Sequence, residues 1–141
     1  MQKNYQMHME NKRKAERELY AMINHFVPEA VFSDGTSEFR EPAEPKAGDV
    51  VKLRIRTFRN GVDSMELIIG DEIFPMSCIG DSANGMFKIY QAEYKVGEEK
   101  LRYHYRITYG TDVYFYNRLG VVKESNANYD FEITPGFSTP D

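Results

Sequence analysis

From Glu29 onward the apolar residues recur at every second position, in short runs cut by turn signals at nearly regular spacing. In Val50–Phe58, Val51, Leu53 and Ile55 take one face, and Lys52, Arg54 and Arg56 take the other. Leu101–Tyr109 sets Leu101, Tyr103, Tyr105 and Ile107 against Arg102, His104, Arg106 and Thr108. Successive strand side chains point to opposite faces, so a period of two is the mark of half-buried β-strands. Further strands are expected over residues 30–33, 64–69, 73–78, 86–96, 113–116 and 129–133. Asn60-Gly61, Gly70-Asp71, residues 97–100 and Gly110-Thr111-Asp112 supply the turns, and residues 41–49 and 80–85 read as loops.

Seven or eight short strands with no helix between them exclude a parallel sheet, which needs crossover helices. What remains is an antiparallel sandwich or barrel, and the length from Glu29 to Ile133 suits an immunoglobulin-like sandwich of roughly 100 residues. The expected fold class is therefore all-β, an immunoglobulin-like antiparallel sandwich preceded by one amphipathic helix. That helix is expected over residues 9–26, where Ala15, Leu19, Met22, Ile23 and Phe26 share one face. Glu10 stands four residues before Lys14, and Pro28 ends the helix. The chain divides into an arm (1–28), a sandwich (29–134) and a short closing segment (135–141).

Composition narrows the partners. With 41% hydrophobic and 28% charged residues, a chain of 141 residues builds its own core. A formal net charge of -4 argues against nucleic acid, which selects for clustered Lys and Arg. No apolar run is long enough to span a bilayer. The polar start lacks an apolar leader core, so a cytoplasmic location is expected, or secretion if a leader has been removed. Cys78 is the only cysteine, and His8, His25 and His104 lack metal-ligand spacing, so no disulfide, metal or cofactor is expected. The loop 81–85 lacks the acidic spacing and closing Glu of a calcium loop.

The 22 acidic residues do not suggest a catalytic pair, because they sit mostly in turns (Asp34, Asp49, Asp71, Glu72, Asp81, Glu98, Glu99). Glycoside hydrolysis needs two carboxyls flanking a bond in a cleft. The outward Lys52, Arg54, Arg56, Arg102 and Arg106 read as a solvated strand face. Chemistry is more plausibly carried by the aromatics: ten Tyr and nine Phe, with no Trp. Tyr90, Tyr114 and Tyr116 are the candidates for a sugar-stacking platform. With Val113 and Phe115 in the core, Tyr114 and Tyr116 face outward. The alternative, and the stronger of the two, is that the pair packs under a loop or the N-terminal helix.

Several segments carry a family likeness: residues 30–36 (AVFSDGT), 51–57 (VKLRIRT), 101–107 (LRYHYRI), 114–120 (YFYNRLG) and 130–141 (DFEITPGFSTPD). In order and spacing they resemble the N-terminal domain of the neopullulanase, cyclomaltodextrinase and maltogenic amylase branch of the α-amylase family. The resemblance implies a family-thirty-four type carbohydrate-binding module ahead of a catalytic (β/α)8 barrel, with residues 130–141 leading into it. It implies that the catalytic carboxylates lie in the barrel and none here. It also implies three partners: an α-glucan or maltooligosaccharide held weakly, the barrel of the same parent chain, and a second copy in a homodimer. The chain departs from the family in having no Trp, a usual sugar platform, and the helix expected over residues 9–26 is absent from shorter family members.

Leu19, Met22, Ile23 and Phe26 form the candidate interaction stripe, since a helix of this length is marginal unless its apolar face is buried. The favoured cover is the chain's own sandwich, ahead of a second copy or the barrel. Leu19→Asp combined with Ile23→Asp is then expected to lower the melting temperature without altering sedimentation. A dimer turned into an equally stable monomer would instead assign the stripe to assembly.

Overall fold

The computed structural model describes residues 25–136. Within them lie two antiparallel sheets made from ten strands. These are β1 (Arg40–Glu41), β2 (Val50–Phe58), β3 (Ser64–Ile69), β4 (Glu72–Pro75), β5 (Ser77–Ser82), β6 (Phe87–Lys95), β7 (Leu101–Tyr109), β8 (Asp112–Asn117), β9 (Gly120–Val122) and β10 (Phe131–Ile133). One sheet runs β1-β2-β6-β5, and the other runs β4-β3-β7-β8-β9 with β10 also paired to β7. The expected all-β sandwich is thus the fold. Ten strands stand where seven or eight were expected: β1 and β9, of two and three residues, are too short to show a period, residues 73–78 split into two strands, and residues 30–33 form none. Leu19, Met22 and Ile23 lie outside the described residues, as does the expected helix save His25 and Phe26, which are in bend and coil.

The core lies between the sheets, where the two alternations meet. Val51, Leu53 and Ile55 of β2 stand opposite Tyr94, Ala92 and Tyr90 of β6. From the other sheet come Met65, Leu67 and Ile69 of β3, paired with Ile107, Tyr105 and Tyr103 of β7. Leu53, Ile55, Leu67, Tyr103, Tyr105 and Ile107 are all fully buried. Each large side chain removed from water in this way contributes about 1.5–3 kcal/mol.

Three local expectations are corrected. Residues 30–33 form no strand: Pro28–Ala30 is a 3-10 turn, and Phe32 makes an isolated bridge to Arg56. The turn uses the N–H groups of Ala30 and Val31, which donate to the Val27 and Pro28 carbonyls at 3.2 Å, so they are not offered to a neighbouring strand. Residues 73–78 are not one strand but two in different sheets, β4 beside β3 and β5 beside β6. Pro75 ends β4 at its sheet edge, and the chain crosses at Met76, whose N–H donates to the Met65 carbonyl at 2.9 Å. The expected loop over 80–85 begins later, because β5 continues to Ser82 through a bulge between Cys78 and Gly80. Cys78 is exposed on this edge strand.

Two turn positions share a left-handed backbone but are filled by different residue types. Gly61 has φ +69°, and a Cβ there would stand 2.8 Å from the Tyr90 hydroxyl oxygen. Ala83, in the β5–β6 turn, holds φ +52°, a conformation in which its Cβ is strained. Gly61→Ala is expected to cost about 2 kcal/mol in denaturant unfolding, combining strain with a clash. Ala83→Gly is expected to stabilise by about 0.5–1 kcal/mol. Equal effects at the two sites would contradict this account of the turns.

Candidate carbohydrate-binding and docking surfaces

The register of β8 settles where its tyrosines point. The tight turn at Gly110 pairs Tyr109 with Asp112, which sets Tyr114 opposite Ile107 and Tyr116 opposite Tyr105. Both partners face the core, so Tyr114 and Tyr116 face inward and Val113, at 45% exposure, faces out. The expected outward orientation of the pair is therefore corrected. In Val113-Tyr114-Phe115-Tyr116 both faces are apolar, so alternation alone has no way to choose between them.

Each candidate tyrosine has a defined cover. Tyr116 is buried at 6% exposure, and its hydroxyl donates to the Ser33 carbonyl at 3.3 Å. Tyr90 is buried at 8%, and its hydroxyl accepts from the Val62 N–H at 3.2 Å. Tyr114 is half-buried, and the Phe26 ring stacks on it with centroids 4.5 Å apart and planes inclined by 22°. Phe26 also lies 5.8 Å from Tyr109. Beside them the Asn60 amide donates to the His25 carbonyl at 3.0 Å and the Tyr109 hydroxyl at 3.3 Å. One end of the sandwich therefore gathers two tyrosine rings, an amide and a phenol hydroxyl under the Phe26 ring. Asn60 was legible only as a turn former, and its proximity to Tyr109 and Tyr114 depends on strands far apart in sequence.

On the outer face of the four-stranded sheet, the Arg56 guanidinium lies 4.3 Å from the Phe87 ring centroid and 5.1 Å from that of Phe32. Phe39 meets Phe32 edge-on at 5.2 Å. Such layering is worth about 0.5–1 kcal/mol per contact at exposed sites. The other outward cations on the two central strands are mostly paired. Arg54 bonds Glu41 at 2.6 Å, Arg102 bonds Glu132 at 3.2 Å, and Arg106 bonds Glu66 at 2.9 Å. Arg54 holds the Glu41 carboxyl below its ordinary range, and Lys100 does the same to Glu132. Exposed apolar residues near this face include Phe32, Ile79 and Met86.

Among the described residues the carboxyls do not converge as a hydrolytic pair. A cleft of about 360 Å³ at the exit of β10 is lined by Arg40, Ala43, Pro45, Ile133 and Thr134, with Glu44 as its carboxylate. A second depression of about 490 Å³ has Asp71 and Glu72, which come from one exposed turn and face Lys100 and Arg102. Asp130 is buried against His104 at 3.3 Å. Among the described residues no group of three or more His, Cys, Asp and Glu gathers as metal ligands would. No helix among them is long and apolar enough to cross a membrane.

Two aligned sheets around one core, with the polar chemistry confined to an end and an outer face, define an immunoglobulin-like β-sandwich module. A family profile described as the alpha amylase N-terminal ig-like domain matches residues 29–135, and the chain belongs to that family. In fold it is similar to a cyclomaltodextrinase (TM-score 0.64, 21% identity, covering 78% of this chain and 20% of that one). It is likewise similar to a maltogenic amylase from S. marinus (TM-score 0.58, 18% identity, covering 76% of this chain and 15% of that one). The chain thus spans a fifth or less of the length of these two enzymes.

Burial raises the Tyr103, Tyr105 and Tyr116 hydroxyls above their ordinary value of 10.0, Tyr105 furthest. Arg40 partly offsets the effect at Tyr103, and the Ser33 hydroxyl does so at Tyr105. A phenol that holds its proton more tightly when folded leaves stability intact below the unfolded value. Stability is then lost as pH climbs past that value. Unfolding is therefore expected to become easier above pH of about 10. Tyrosinate absorbance should show these three rings ionising only together with loss of the fold. Their titration in the intact domain near pH 10 would contradict the burial described.

Proposed function

We propose that this chain is a non-catalytic accessory domain of an α-amylase-family glycosidase, and that it holds α-glucan weakly at the Tyr109–Tyr114 end of the sandwich. The observation that supports this reading is the grouping of aromatic faces with the Asn60 amide and a phenol hydroxyl. Sugar rings stack their C–H faces on such rings and direct hydroxyls to flanking amides. Tyr90 and Tyr116 then act as core supports, their hydroxyls already engaged by Val62 and Ser33.

A second reading, docking against a catalytic barrel or a partner subunit, is favoured by the exposed Phe32, Ile79 and Met86 around the Phe32–Arg56–Phe87 stack. A flat face with an apolar rim fits a protein surface as well as a sugar. In that role the domain would shape a neighbouring active site without binding sugar itself.

The chain alone is expected to release no reducing sugar from starch, pullulan or cyclodextrin, since among the described residues no carboxyl pair spans a cleft. Maltoheptaose is expected to bind at around millimolar, or about -4 kcal/mol, because a shallow platform leaves most hydroxyls in water. Tyrosine fluorescence during titration reads this directly, and Tyr114→Ala should abolish the change. Silence up to tens of millimolar (roughly -2 to -3 kcal/mol) would favour the docking reading instead.

A further inference from the structure

We propose that Asn84 is a spontaneous modification site, an asparagine that converts to aspartate and isoaspartate in the folded domain while the other Asn-Gly pair is protected. Asn followed by Gly occurs twice in the sequence, at Asn60-Gly61 and Asn84-Gly85. The chemistry open to both is the same. The glycine backbone nitrogen gives up its proton and attacks the carbonyl carbon of the asparagine side chain, whose nitrogen leaves as ammonia. Water then opens the succinimide ring at either carbonyl. One opening gives aspartate, and the other gives isoaspartate, in which the backbone runs through the former side chain. Glycine favours the attack because it has no Cβ to crowd the forming ring.

The fold treats the two pairs differently. At Asn60 both reacting groups are engaged. The amide donates to the His25 carbonyl at 3.0 Å and the Tyr109 hydroxyl at 3.3 Å, and the Gly61 N–H donates to the Phe58 carbonyl at 2.8 Å. Gly61 is also buried against the Tyr90 hydroxyl, which leaves a ring little room to close. Asn84 is exposed in the turn over residues 83–86, beyond the last β5–β6 pair at Ser82 and Phe87. Among the described residues neither its side chain nor the Gly85 N–H makes a hydrogen bond. The space where a Cβ on Gly85 would stand is open. Ala83 and Asn84 hold φ of +52° and +57°, a left-handed conformation that costs L-residues energy. The turn therefore reaches the attacking geometry without giving up a favoured backbone or a strand pair.

Conversion adds one negative charge to a formal net charge of -4. It does so beside the exposed Met86, whose N–H closes the turn on the Ala83 carbonyl at 3.2 Å. Met86 is part of the apolar rim assigned above to docking, so the new carboxylate arrives at that rim. The modification itself depends on neither reading of the domain's partner.

Incubation of the full 141-residue chain in mildly alkaline buffer, followed by peptide mapping with mass spectrometry, reads both positions in one sample. Acid is expected to accumulate at residue 84 at least about tenfold faster than at residue 60, because the bonds that must open at Asn60 and Gly61 lower the reactive population there. In denaturant the two rates should converge, since both pairs then lie in an open chain. Asn84→Gln, which closes a larger ring slowly, should remove the acidic form that the folded chain builds up and leave the rate at residue 60 unchanged. Equal rates at the two positions in the folded chain would overturn the assignment, as would faster conversion at Asn60. Conversion of Asn84 in denaturant but not in the folded chain would overturn it too, by showing that the left-handed turn blocks the attack.

Discussion

Everything in this sandwich depends on satisfying tyrosine hydroxyls that the sheets bury. Tyr105 has no exposed surface, yet its phenol carries a donor that would cost about 1–3 kcal/mol if left unpaired. Ser33 resolves the problem. Its hydroxyl donates to the Arg54 carbonyl at 2.6 Å, which leaves its oxygen to accept from Tyr105 at 3.2 Å. The Ser33 carbonyl then accepts from Tyr116 at 3.3 Å. Arg40 supplies the third partner, donating to the Tyr103 hydroxyl at 3.3 Å and to the Glu132 carbonyl at 3.0 Å. These bonds join both sheets to the segment that precedes β1, and so set how the layers face each other.

That arrangement also decides where function can reside. Tyr103, Tyr105, Tyr116 and Phe131 form one aromatic cluster, with Tyr103 and Phe131 stacked at 5.3 Å. Rings committed to this cluster are unavailable to a ligand. Arg54, Arg56, Arg102 and Arg106 are likewise occupied, by Glu41, Glu66 and Glu132 or by the phenyl rings of Phe32 and Phe87. Among the described residues, the surfaces proposed for recognition are the end where Tyr109 and Tyr114 meet Asn60 and the outer face around Arg56.

The legible and illegible parts of the fold separate by mechanism. Strands β2, β3 and β7 were readable to the residue, because one face of each is apolar and the turns beside them carry Asn-Gly or Gly. β4 and β5 read as a single strand, since the crossover at Met76 depends on two sheets being present to receive its two sides. β1 and β9 had no period to show and exist because β2 and β8 offer open edges. The family likeness was legible in short phrases spread over the sandwich, and it agrees with the family match over residues 29–135. The candidate site was legible in type but not in placement: Tyr90, Tyr114 and Tyr116 drew attention as aromatics, yet two of them are core.

By itself, then, the sequence determined an all-β antiparallel sandwich, because period-two alternation and turn chemistry are local properties, while the likeness to the α-amylase N-terminal domain lay in particular phrases of residues. Only the tertiary structure decided which way the β8 tyrosines point, that Ser33 closes the polar interior, and that Phe26 lies on Tyr114. The physical reason is that Val113-Tyr114-Phe115-Tyr116 is apolar on both faces. Its orientation was settled by the register that the Gly110 turn imposes against β7, a contact between chain segments and not a property of either one.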